Sequence, residues 1–101
     1  MQQVKVLSDS PVLKIALSGE IDSENADEFY GEFCAAYRAP SDVEFVCDDL
    51  EFIDSTTLGT FVKILKKVKT DGKNMKLSGL VPRLKKLFVI CALDTIMEIA
   101  S

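Results

Sequence analysis

Apolar and polar residues alternate over residues 4–7 and again over 12–17, the period of a half-buried strand, and Ser8-Asp9-Ser10-Pro11 between them is turn chemistry. The two runs predict an antiparallel hairpin. Beyond Gly19-Glu20-Ile21-Asp22 the spacing changes. Ala26, Phe29, Tyr30, Phe33 and Tyr37 fall on one helical stripe, with Ser23 or a neighbour as its cap and Pro40 with Asp42 at its exit. Val43, Phe45 and Cys47 alternate with Glu44 and Val46 as a third strand, after which Asp48-Asp49-Leu50-Glu51 reads as a turn toward Phe52 and Ile53. From Leu58 the positions Phe61, Val62, Leu65 and Val68 recur at helical spacing until Asp71-Gly72. Met75 and Leu77 mark a short strand. Pro82 then opens a third helix carrying Leu84, Leu87 and Phe88, and residues 96–99 close the chain as a strand or a helix.

Strands that alternate with helices after an initial hairpin predict an α/β fold. Each amphipathic stripe needs an apolar face to cover, so the expected architecture is a mixed sheet of four to five strands with three to four helices packed on it. A chain of 101 residues without an internal repeat or a flexible linker implies a single domain, residues 1–101, around one core.

Between the third strand and the second helix stands Asp54-Ser55-Thr56-Thr57, an acid followed by three hydroxyls. A helix N-terminus leaves backbone N–H groups without partners, and a serine or threonine cap is a common remedy, which makes Ser55 the natural N-cap. The same amides and the helix dipole favour negative charge, so a phosphoryl group on a serine there is tolerated by the fold while it changes the outward surface.

Composition narrows the chemistry. Hydrophobic residues make up 48% of the chain, too many for disorder, and no apolar run approaches membrane-spanning length. Residues 1–10 lack the features of a signal peptide, so membrane insertion is not expected and a cytoplasmic location is. Cys34, Cys47 and Cys91 are odd in number, widely spaced and set among apolar neighbours, which reads as small core residues. The absence of histidine removes the commonest general base, the Ser-His and Cys-His pairs and most zinc sites. With no Gly-rich phosphate loop and no clustered carboxylates besides, neither an enzyme, nor a metal, nor a cofactor is expected.

Charge is unevenly distributed within the net −4. Residues 1–58 hold thirteen acids against three bases, and residues 59–101 hold nine bases against three acids. The lysines fall mainly on the polar face of the second helix with no aromatic among them, a solvated face and not a nucleic-acid patch. The acidic half includes the residues beside the hydroxyl cluster and suits a basic partner surface.

The order of elements and the residues at their joints resemble the STAS domain, in particular the bacterial anti-sigma-factor antagonists. Gly19-Glu20-Ile21-Asp22 is similar to the family's step after its second strand, Phe52-Ile53-Asp54-Ser55-Thr56 to its phosphorylation motif, and Leu87-Phe88 through Ala92-Leu93 to its closing segment. The resemblance implies a partner switch. An unphosphorylated antagonist binds an anti-sigma factor that is itself a serine kinase of the histidine-kinase-like ATPase fold, phosphorylation ends the binding, and a PP2C-type phosphatase restores it. By that resemblance Ser55 is the phosphoacceptor, with Thr56 as second choice, and Asp22, Asp54, Ser55, Thr56 and Thr57 form the partner-binding surface. Thr57 and Ala92 both stand where the family usually has glycine, a departure that bears on kinase fit in the first case. A rival expectation is a constitutive STAS subunit of a membrane transporter or other regulatory complex, docked without phosphorylation.

Overall fold

The computed structural model describes residues 1–100. Strands β1 (Val4–Ser8), β2 (Leu13–Ile21), β3 (Val43–Ile53), β4 (Met75–Ser78) and β5 (Glu98–Ile99) lie in that order in one sheet. β1 and β2 form the expected antiparallel hairpin, and every later pair of neighbours is parallel. Parallel neighbours need a crossover, supplied in turn by helices α1 (Ala26–Ala36), α2 (Ser55–Thr70) and α3 (Pro82–Ile90). A 3₁₀ turn, Leu93–Thr95, completes the last crossover. The α/β class and the mixed sheet are as the periodicity predicts.

Right-handed crossovers that step in one direction across a sheet put their helices on one face. The phenylalanines show this directly. Phe29 of α1, Phe45 of β3 and Phe61 of α2 meet edge to face with ring centroids 5.5 to 5.8 Å apart, and Phe88 of α3 stands 5.6 Å from Phe61. All four are fully buried. Leu13, Ile15 and Leu17 of β2, Phe45 and Cys47 of β3 and Leu77 of β4 face the same core, whereas Lys14, Glu44 and Lys76 between them face solvent fully or in part.

Three sequence expectations change. Asp48-Asp49-Leu50-Glu51 does not turn the chain: β3 runs without a break for 11 residues. Ala16 pairs with Val46 but Ser18 with Asp49, and Gly19 with Leu50 but Glu20 with Phe52, so β3 takes two more residues than β2 over that span. These bulges destroy the alternation by which a strand is recognised, and they leave Asp48, Asp49, Glu51 and Phe52 exposed. Of the three cysteines only Cys47 lies in the core, where burial pushes its thiol up to about 12 and leaves it unreactive. Cys34 is half-buried and Cys91, at the end of α3, is exposed. In the inward stripe of α1, Tyr30 is only half-buried, and the Lys63 ammonium sits 4.1 Å from its ring centre.

The 3₁₀ turn is preceded by its cap, Ala92, the one non-glycine residue with positive φ (57°) among the described residues. A Cβ in this left-handed conformation crowds the following carbonyl, and the position where the family resemblance leads one to expect glycine is therefore strained by alanine. Ala92→Gly is expected to stabilise the fold by about 0.5–1 kcal/mol, read as a higher urea midpoint with an unchanged m-value.

Candidate functional site

Ile21 and Ile53 are paired at the ends of β2 and β3, so the connections to α1 and α2 leave the sheet side by side at its carboxyl edge. This is where open parallel sheets place their sites. Asp54 opens the second connection in an extended conformation (φ −118°, ψ −175°) and caps α2, its Oδ1 accepting from the Thr57 amide at 3.0 Å. Its Oδ2 accepts from the Ser23 amide in the first connection at 2.8 Å. One carboxylate thus ties the two loops together. The Thr57 amide, aided by the Ser23 amide and the Thr57 hydroxyl and opposed by partial desolvation, holds this carboxyl below the usual carboxylate range.

The N-cap is therefore Asp54 and not Ser55, and α2 begins three residues earlier than the apolar spacing from Leu58 implies. Both residue types cap well, but the carboxylate reaches the third amide while Ser55 becomes the first helical residue. Ser55 is exposed, and among the described residues nothing hydrogen-bonds its Oγ. Thr56 is exposed beside it, its side chain likewise facing outward.

Thr57 corrects the expected partner surface. It is fully buried, with Oγ1 2.5 Å from the Ile21 carbonyl oxygen and 3.1 Å from Asp54 Oδ1, its one proton shared between these two acceptors. The side chain, at a position where the resemblance leads one to expect glycine, is turned inward as a pin between β2 and α2, where no docked protein can reach it.

Asp22 completes the other wall. Its Oδ1 accepts from the Glu24 amide at 3.0 Å, its amide donates to Asn25 Oδ1 at 2.8 Å, and Asn25 Nδ2 donates to the Glu20 carbonyl at 3.0 Å. The loop is closed on itself as an Asx turn, with Ser23 and Glu24 exposed. The structure thus brings Asp22, Asp54, Ser55 and Thr56 to one edge and removes Thr57 from it. The Ser23 amide and the Ile21 carbonyl were not foreseeable, because both contacts join segments more than thirty residues apart. Phe52, paired with Glu20 and 42% exposed, adds an apolar side chain to this edge. Among the described residues no cluster of His, Cys, Asp and Glu could hold a metal ion, and no helix is long and apolar enough to cross a membrane.

The STAS domain family model matches residues 3–101. The chain belongs to the STAS domain family. It is 32% identical over 98 residues to the anti-sigma-B factor antagonist of Bacillus subtilis strain 168, covering 97% of this chain and 90% of that protein. Among solved structures, a candidate anti-sigma factor antagonist from Thermotoga maritima superposes with a TM-score of 0.84 at 26% identity, over 97% of this chain and 84% of that one. The phosphorylated form of the Bacillus cell fate determinant SpoIIAA shares the fold, with a TM-score of 0.71 at 19% identity over 98% and 90% of the two chains.

Two measurements probe the tie. Thr57→Val keeps the shape but leaves the Ile21 carbonyl without the hydroxyl, and is expected to destabilise the domain by about 1–3 kcal/mol in urea titrations. For Asp54, whose carboxyl is depressed in the folded state, the stabilisation is complete above its unfolded value of about 3.9 and disappears as pH falls through the lower folded value. Urea midpoints of the wild type and Asp54→Asn should therefore differ at pH 7 and begin to converge only as the pH falls below about 4.

Proposed function

We propose that this STAS domain is an anti-sigma-factor antagonist in a partner-switching cascade, toggled by phosphorylation of Ser55. The supporting observation is a freely accessible serine hydroxyl, at the first residue of a long helix, on a frame that Asp54 and Thr57 brace without using it. The names of the curated relatives point the same way, since they are anti-sigma-B factor antagonists matched over most of the chain. The domain contributes no catalysis of its own and works in the cytosol with its partners.

In this reading the unmodified domain binds an anti-sigma factor that is a serine kinase of the histidine-kinase-like ATPase fold. The kinase directs Ser55 Oγ at the γ-phosphorus of ATP; the new P–O bond forms as the bond to ADP breaks, and the hydroxyl proton is lost. A PP2C-type phosphatase hydrolyses the phosphoserine and returns the neutral hydroxyl.

Electrostatics then does the switching. A phosphoserine carries about −1.5 to −2 charges at neutral pH. It would stand next to the ionised Asp54 and across the tied loop from Asp22 and Glu24, against a partner surface fitted to a hydroxyl. A loss of about 3–4 kcal/mol, within the range of an unpaired buried charge, weakens binding by about a few hundredfold. The amides and dipole at the start of α2 partly compensate the new charge, so the fold persists.

Incubation with the anti-sigma factor kinase of the source organism and ATP should place one phosphate on Ser55 by mass spectrometry. Ser55→Ala should abolish it, and Ser55→Asp should weaken kinase binding about a hundredfold with little change in Tm. Modification confined to Thr56 would overturn the assignment of the acceptor.

A further inference from the structure

Gly59 lies within the continuous helix α2, and neither of the usual reasons for a helical glycine applies to it. It is exposed and lacks a positive φ, and a Cβ built on it meets no atom within 4 Å. Glycine is a poor helix former because the unfolded chain gains more freedom from it than from any other residue. The domain thus forgoes stability at residue 59 without a return inside the molecule. Gly59 follows Ser55 by four residues, which places the two one above the other on the same face of α2.

We propose that Gly59 is a clearance residue for the docked anti-sigma factor, whose surface seats against the bare backbone of α2 one turn beyond Ser55. This rests on the function proposed above. The occupant is the kinase itself, since a protein that brings ATP to Ser55 Oγ must also cover the adjoining turn of the same exposed face. A side chain at residue 59 would hold that surface away from the helix, weakening docking and misplacing the phosphate donor together. Gly59 is in this sense a specificity determinant that touches the partner, and it has no part in stabilising the free domain.

Gly31 supplies a matched control. It too is exposed within a helix, with no atom within 4 Å of a built Cβ, but it belongs to α1 and has no candidate acceptor beside it. Gly59→Ala, Gly59→Gln, Gly31→Ala and Gly31→Gln are compared by thermal unfolding and by calorimetric titration with the kinase that phosphorylates Ser55. Both alanine variants should raise Tm by about 4 °C or more, the shift expected for removing a helical glycine from a domain of this size. Binding should fall about tenfold for Gly59→Ala and about a hundredfold for Gly59→Gln, and stay within about twofold for both Gly31 variants. Equal affinities in the two series overturn the proposal while Ser55 phosphorylation stands. A Tm that does not rise in Gly59→Ala overturns it as well, because the glycine would then serve the fold. Failure of every anti-sigma factor kinase of the source organism to bind or modify the wild type defeats the proposed function first, and this inference with it.

Discussion

An ionised carboxylate at the carboxyl edge of the sheet holds the working end of this domain in shape. Asp54 accepts from the Thr57 amide on its own helix and from the Ser23 amide on the neighbouring crossover, so one side chain joins two loops that are distant in sequence. Thr57 adds a second strut, from inside, to the last carbonyl of β2. Neither residue spends the hydroxyl of Ser55. The local hydrogen-bond requirements of the helix start are met by other groups, which leaves that oxygen available to a visitor without cost to the fold.

The frame behind the edge is rigid for an independent reason. Four phenylalanines, one from each crossover helix and one from the central strand, pack together under the sheet, three of them edge to face. A close-packed core of this kind resists small displacements. A change of charge at the edge is then felt by whatever is docked there and not by the interior, which is the condition for a switch that works through repulsion and not through refolding.

Much of this was legible in the sequence because the two periods were clean. The hairpin, the three helices and the strand at Met75 each show a period of two or 3.6, and the structure has them all. β3 was legible only to Cys47. Its two bulges expose Asp48, Asp49, Glu51 and Phe52 in an order that no alternating pattern contains, so a continuous strand read as a turn. At the site, the acid-hydroxyl cluster was visible but its internal order was not. Asp54 and Ser55 have nearly equal capping preference, and only the position of the helix axis decides between them. Thr57 looked like a third surface hydroxyl because its acceptor, the Ile21 carbonyl, comes from a strand ending 36 residues earlier.

The far end of the sheet has a practical meaning. There Leu13, Val43 and Met75 begin their strands together, and the turns before them are stitched by the Leu13 amide to the Asp42 carbonyl and the Asn74 amide to the Asp42 carboxylate. β2 alone separates that end from the Asp54 edge by about 25 Å. A tether, dye or fused reporter placed near residues 9–11 would therefore ride on the domain while leaving the opposite rim unobstructed, which suits this chain to immobilisation with the Asp54 rim outward.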